Sequence, residues 1–198
     1  MSLTQFLHTQ GFFSFEGYSQ QIYDQVNDLI ELTRSPAAHI MEIGFNAGHS
    51  SEIFLRSNPH ATVTSFDLGI HDYTPVAKHY IDKTYPRRHT LLLGDSTVTV
   101  PHYHQEHPDK VFDVIFIDGG HEYSIAKADL ENSKKLAHKD TIVMLDDTMF
   151  LKEWEQEFTI GPTKAWIEQL ESGAITEIKH VEYMPGRGMS WGKYNLDV

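Results

Sequence analysis

Three aspartates carry the strongest chemical suggestion in this sequence: Asp118 closes one apolar run, and the adjacent pair Asp146 and Asp147 closes another. If those runs are neighbouring parallel strands, their carboxyl ends lie about 4.8 Å apart. Carboxylates so crowded repel one another unless protons or a cation compensate. An all-oxygen set suits a hard divalent cation, Mg²⁺ first and Mn²⁺ or Ca²⁺ as alternatives, rather than zinc. The competing reading is that one member of the pair caps a turn and the other meets water. Adjacent side chains on a strand point to opposite faces, so both can reach one ion only where the strand has already ended. His121, three residues beyond Asp118, titrates near neutral pH without help. It is a candidate general base, weighed against a histidine that merely bonds its loop. Asp118 is the other group that could take a proton.

A second constellation lies upstream. Glu42-Ile43-Gly44-Phe45-Asn46-Ala47-Gly48-His49-Ser50 reads as a strand end, a glycine turn and a helix start. Glycines let the backbone turn sharply and approach a ligand closely, and a helix start offers free N–H groups. Asp67 follows at the end of the next strand, where a carboxylate can accept ribose hydroxyl protons. Gly94-Asp95-Ser96 then forms a turn suited to meet an adenine ring. Singly, Asp67 or Asp95 is more often a cap or turn residue; in register with the glycine turn they form a set. The Gly-x-Gly-x-x-Gly pattern that seats a pyrophosphate is missing, which argues against NAD and FAD.

The elements that must hold these residues alternate. Ile22, Val26, Leu29 and Ile30 share a helical face over Tyr18 to Thr33, broken at Ser35-Pro36. Strands are expected at His39–Ile43, Thr62–Asp67, Thr90–Leu93, Val111–Asp118 and Thr141–Leu145. Helices are expected at Ser50–Arg56 and Pro75–Thr84, and on the face formed by Ala126, Leu130, Ser133 and Ala137. Such alternation predicts βαβ units and a parallel sheet with buried strands. The end differs: Ile175–Tyr183, the turn Pro185-Gly186-Arg187-Gly188, and Met189–Leu196 read as a hairpin. The fold class expected is therefore α/β, a Rossmann-like three-layer sandwich whose mostly parallel sheet is closed by a C-terminal antiparallel hairpin.

Composition narrows the function. With 16 basic against 28 acidic residues the net charge is −12, and no basic run suggests a nucleic-acid partner. There is no cysteine, hence no disulfide, zinc-thiolate site or thiol nucleophile. No apolar stretch of about 18 residues suggests a membrane span, and Met1 to Phe15 lacks the pattern of a signal peptide; a cytoplasmic enzyme is the expectation. His102, His104 and His107 have metal-like spacing but sit in a Pro-flanked polar segment and read as surface. Phe12, Phe13, Phe15 and Tyr18 would line an acceptor pocket or dock on the sheet. For Trp154, Tyr183, Trp191 and Tyr194 an acceptor wall and core packing are equal alternatives.

Taken together, Glu42-x-Gly44-x-x-x-Gly48-x-Ser50, Asp67, Gly94-Asp95-Ser96, Phe116-Ile117-Asp118-Gly119-Gly120-His121-Glu122-Tyr123 and Met144-Leu145-Asp146-Asp147-Thr148 resemble the motif series of class I S-adenosylmethionine-dependent methyltransferases. Over roughly Ile40 to Thr148 the chain is similar to the metal-dependent small-molecule O-methyltransferases, of the catechol type and of the antibiotic-sugar type related to macrocin O-methyltransferase. The resemblance implies that Glu42, Gly44, Asn46 and Gly48 shape the cofactor pocket and that Ser50 meets the methionine carboxylate. It implies Asp67 on the ribose, Asp95 and Ser96 flanking adenine, and Asp118, Asp146 and Asp147 on the metal, with Asp118 also bordering the cofactor. The chain departs from the catechol type in having Asp147 where Asn is usual and His121 where Lys is usual. The antibiotic-sugar type accepts the first change; the second puts the identity of the base in question.

The resulting expectation is one domain over residues 1–198: a helical segment to residue 35, a cofactor and metal core over 36–148, and an acceptor-side helix and hairpin over 149–198. Its activity would be methyl transfer to a hydroxyl of a small molecule, without nucleic acid or membrane, with a homodimer left open. Aminopropyl transfer, a non-catalytic nucleotide-binding module and, more weakly, a nicotinamide oxidoreductase are the alternatives.

Overall fold

The computed structural model describes residues 1–17, 19–34 and 38–196. The expected helix start at Tyr18 and the break at Ser35-Pro36 lie outside the described residues. Seven strands, β1 (His39–Ile43), β2 (Thr62–Asp67), β3 (His89–Leu93), β4 (Phe112–Ile117), β5 (Ala137–Asp146), β6 (Ile175–Met184) and β7 (Arg187–Tyr194), form one sheet of order β3-β2-β1-β4-β5-β7-β6. The first five are parallel, and β7 runs antiparallel to both β5 and β6. This is the sheet the sequence predicts, a Rossmann-like arrangement closed by a hairpin. The strand order reverses between β1 and β4, and in such sheets that switch point opens a crevice beyond the carboxyl ends.

Strand alternation splits the core into two layers. Ile40, Val114, Phe116 and Met144 face one side with α1 (Leu3–Thr9), α2 (Tyr23–Leu32), α3 (His49–Ser57) and α4 (Tyr73–Thr84). Met41, Ile43, Ile115, Ile117, Val143 and Leu145 face the other with α5 (Ser96–Glu106), α6 (Tyr123–Lys134) and α7 (Glu157–Glu171). Helices therefore cover both faces, as near-continuously apolar strands require. Trp191 and Tyr194 are buried in these two layers, and Tyr183 packs on the first with its hydroxyl donated to Asp28 Oδ2 at 2.7 Å. Phe12 and Phe15 dock against the first layer, whereas Phe13 is exposed.

Two expectations need correction, and one helix was not expected. Ala137 is in β5, paired with Phe112, and not on the preceding helix, because the strand begins four residues earlier than its apolar run suggests. Ile22 caps α2 in extended conformation instead of lying within it, and a 3₁₀ turn at Ser19–Gln21 precedes it. The polar segment with His102, His104 and His107 is largely a helix, α5, despite Pro101 inside it. Asp95 starts that helix by accepting the Thr97 N–H at 2.9 Å, which satisfies one of the free donors of its first turn.

Candidate active site

The carboxyl ends of β1 to β5 open onto a cleft of about 1210 Å³. Its wall includes Gly44, Asn46, Asp67, Asp95, Ser96, Asp118, His121, Asp146 and Asp147, so nine of the sequence-derived candidates meet in one space. Gly44 ends β1 with φ +95°, and a Cβ there would lie 1.8 Å from the Asp118 carbonyl oxygen. Only glycine permits β1 and β4 to meet so closely where the crevice opens. Gly48, also left-handed at φ +79°, is the N-cap of α3. Asp67 is fixed from two sides: Asn46 N–H donates to Oδ2 and Gly69 N–H to Oδ1, each at 2.7 Å. Each oxygen keeps a lone pair for a further donor.

Glu42, Gly48 and Ser50 stand behind the wall rather than on it. Glu42 is fully buried, and its carboxylate accepts hydroxyl bonds from Ser50 at 2.5 Å, Ser51 at 2.6 Å and Ser65 at 2.5 Å. Burial raises its pKa above the usual carboxylate range, against those three hydroxyls. Ser50 therefore spends its hydroxyl on Glu42 instead of presenting it to the cleft. Ser65 also meets His89 Nε2 at 2.9 Å, and burial drives that imidazole down to a pKa of about 3. Nothing in their spacing singles out Ser51 and Ser65, which share the Glu42 carboxylate, or His89, which meets both hydroxyls.

The other half of the cleft is acidic. Asp146 ends β5, and Asp147 follows at φ +57°, left-handed for a non-glycine residue. The strand has ended there, so both carboxylates line the cleft, the condition under which adjacent aspartates can face one point. Burial and the neighbouring charge of Asp147 push Asp146 up to about 7, while burial and both neighbours hold Asp118 well above the ordinary range. His121 Nε2 lies 3.0 Å from Asp147 Oδ2, and that bond raises the imidazole pKa above its usual value. Gln25, from α2, donates its amide N–H to both oxygens of Asp146 at 2.8 Å. Arg187, the first residue of β7, comes within 3.6 Å of Asp147 Oδ1.

These partners bear on the expected cation. Among the described residues no three His, Cys, Asp or Glu side chains are arranged to hold a metal ion. Asp146 is turned to Gln25, and Asp147 to His121 and Arg187, so the three carboxylates do not close around a point. Donor type and charge suit a hard cation, and Asp147 Oδ1 is buried without a hydrogen-bond partner; the arrangement does not. His102 pairs with Glu106 at 3.3 Å on α5 and takes no part in the cleft.

A glycine turn, an acid at the end of β2 and polar strand ends on a seven-stranded sheet define the class of a Rossmann-like methyltransferase fold. Residues 41–148, more than half of the chain, match the family model of the methyltransferase domain, and the chain belongs to that family. No curated protein sequence matches it. It resembles an O-methyltransferase from Bacillus cereus solved with S-adenosylhomocysteine: TM-score 0.75, 15% identity, 96% of this chain and 88% of that one covered. For cofactor-bound Rv0187 from MTB the values are 0.73, 17%, 88% and 81%. CalS11, a TDP-rhamnose 3′-O-methyltransferase of calicheamicin biosynthesis, gives 0.66, 21%, 87% and 81%. At such identities the likeness is one of fold.

Proposed function

We propose that this methyltransferase moves the methyl group of S-adenosylmethionine to a hydroxyl of a small molecule. The observation that carries the reading is Asp67, pinned by two backbone N–H groups at the end of β2 beside the glycine turn. The adenosyl group fits there in chemistry: Asp67 accepts from the ribose hydroxyls, Asp95 and Ser96 flank adenine, and Gly44 and Asn46 form the floor. Glu42, Gly48 and Ser50 act from behind by fixing the turn. When bound, the cofactor supplies an activated methyl on a sulfonium. The chain's task is then mainly positioning, since in-line displacement gains most from holding two reactants in line. His121, oriented by Asp147, takes the acceptor's proton, with Asp118 as the other candidate.

A divalent cation belongs to the proposal through donor chemistry alone. Asp118, Asp146 and Asp147 would hold Mg²⁺, or Mn²⁺ or Ca²⁺, once Asp147 turned from Arg187 and His121. No step here depends on it. No helix among the described residues is long and apolar enough to cross a membrane, and the acceptor is taken to be a free small molecule. A cytoplasmic location, a single domain and a homodimer remain part of the expectation.

Calorimetry with S-adenosylhomocysteine should give one site per chain, and S-adenosylmethionine with a hydroxyl acceptor should yield S-adenosylhomocysteine. If neither ligand binds the folded chain, the reading is lost. Turnover measured with and without EDTA tests the cation: abolition reversed by Mg²⁺ supports it, and full activity under chelation removes it. Metal-free transfer to a polyamine from the decarboxylated cofactor would instead favour aminopropyl chemistry.

A further inference from the structure

Arg187 is at an unusual place for a cation. The wall of the cleft carries eight carboxylate side chains, Glu16, Asp67, Asp95, Asp118, Glu122, Asp146, Asp147 and Glu157, and among the described residues Arg187 is its one arginine or lysine. A second cavity of about 530 Å³ adjoins the first, bounded by Gln21, Ile22, Gln156, Met184, Pro185 and Gly186, and the two share Phe158 and Arg187. The guanidinium is thus part of the partition between the compartments.

The local sequence puts it there. Pro185-Gly186 makes a two-residue hairpin turn, with Gly186 at φ +73°, and Met184 pairs with Arg187 across it. The side chain is only 22% exposed. Its charged neighbour, Asp147 Oδ1, is 3.6 Å away, beyond hydrogen-bonding distance, and that oxygen has no hydrogen-bond partner. A guanidinium offers five N–H donors in a planar fork that matches a carboxylate or phosphate. Half-buried between two cavities and without a close acceptor among the described residues, its N–H donors are open to a ligand from either side.

We propose that Arg187 is an anion subsite that recognises a carboxylate or phosphate group on the methyl acceptor. This rests on the methyl-transfer reading for the acceptor, though not for the subsite. The charged acids of the wall repel an anion elsewhere on it, so the one cation fixes where a charged acceptor lies. The rest of that acceptor extends past Phe158 into the second cavity, whose apolar side is formed by Ile22, Met184 and Pro185. The reactive hydroxyl, on the near side, faces the Asp147–His121 pair. An acidic cleft with a single guanidinium fork orients its substrate by exclusion as much as by attraction.

The test is calorimetry on the full chain, free and loaded with S-adenosylhomocysteine, using three probes: 3,4-dihydroxybenzoate, catechol and inorganic pyrophosphate. Preference for dihydroxybenzoate over catechol, lost by about tenfold or more in Arg187→Gln, identifies a carboxylate acceptor. Pyrophosphate bound by the wild type and lost in Arg187→Gln, with dihydroxybenzoate no better than catechol, identifies a phosphate-bearing one. Arg187→Lys keeps the charge without the fork and should retain part of either effect. Affinity for S-adenosylhomocysteine should stay unchanged in both variants. Anion binding that is equal in wild type and variants, or absent at millimolar concentration, overturns the proposal and leaves Arg187 as a counter-charge to Asp147. Should Arg187→Gln fail to fold, the wild-type preference for the anionic over the neutral catechol decides alone. Failure of S-adenosylhomocysteine to bind breaks the methyl-transfer reading, while the titration of the free chain still reports on the subsite.

Discussion

The two halves of the cleft solve opposite problems. At the ends of β1 to β3 the polar groups have their partners: Glu42 accepts three serine hydroxyls, Asp67 two backbone N–H groups, and Asp95 the first turn of α5. At the ends of β4 and β5 the carboxylates crowd one another, although Gln25 donates to Asp146 and His121 meets Asp147. Asp118 and Asp146 are crowded into higher pKa values, Asp147 sits in a left-handed conformation, and its Oδ1 is unpaired. Carboxylates already held by fixed donors bind without reorganising; crowded charge is what a bound reactant can relieve. Under the methyl-transfer proposal the difference corresponds to binding on one side and chemistry on the other.

The largest effect should come from the hinge between the halves. Gly44→Ala would place a methyl 1.8 Å from the Asp118 carbonyl oxygen at a φ of +95°. Strands β1 and β4 would have to part, and urea unfolding should show a loss of more than about 4 kcal/mol. A variant of near-normal stability would show that the halves are not held by this contact.

Next in size is His121→Ala, on the strained side. Turnover should fall about 10²–10⁴-fold with S-adenosylhomocysteine affinity unchanged. A base works only when deprotonated, so activity should be lost as pH falls through the His121 pKa. The bond from Asp147 holds that pKa above the usual imidazole value, which moves the acid limb upward. Wild-type turnover with the same pH profile would leave Asp118 or water as the acceptor of the proton.

Asp67→Ala tests the satisfied side. Two backbone N–H groups lose their acceptor and the ribose loses a carboxylate, so calorimetry should show cofactor binding weaker by about 1–3 kcal/mol. The rate at saturating cofactor should change little. A fall in turnover equal to that of His121→Ala would abolish the division of labour.

How much of this was legible in the sequence follows the same division. The glycine turn, Asp67 and Gly94-Asp95-Ser96 are local patterns, each on its own strand end, and a parallel sheet brings strand ends together by rule. The metal expectation rests on donor types that the sequence shows, whereas the partners those donors take are remote in sequence. Gln25 is 121 residues from Asp146, and no periodicity reveals that its amide covers both oxygens. Arg187 read as a turn residue, since Pro185-Gly186-Arg187-Gly188 looks like loop; the turn proper is only Pro185-Gly186, which places Arg187 on a strand. Ser50 turned inward because Glu42, buried in the sheet, needed its hydroxyl. Helix α5 was hidden by Pro101 and by the lack of an apolar face, the signals on which helix reading depends.

The smallest effect is also the most direct probe of the crowding. Asp118→Asn removes one of three acids from the strained half and leaves its shape. Burial comes first and the charges of Asp146 and Asp147 second in raising the Asp118 pKa, so the folded state takes up this proton more readily than the unfolded one. Such a group favours the folded state below the unfolded-state pKa and loses that contribution as pH rises through its folded pKa. At neutral pH it is therefore a net cost, which the neutral amide does not carry. In EDTA, Asp118→Asn should be more stable than wild type by about 1 kcal/mol near pH 7. The gain should shrink as pH is lowered and vanish below the ordinary carboxylate range, where both side chains are uncharged. Turnover should drop in the same variant, because the charge that destabilises the resting chain is the one the site uses. Urea unfolding of both proteins between pH 4 and pH 8, beside an activity assay, reads both quantities. A variant less stable than wild type at pH 7, or a gain as large at pH 4 as at pH 7, would mean that the three carboxylates are already compensated. The contrast between the halves would then be one of geometry and not of charge.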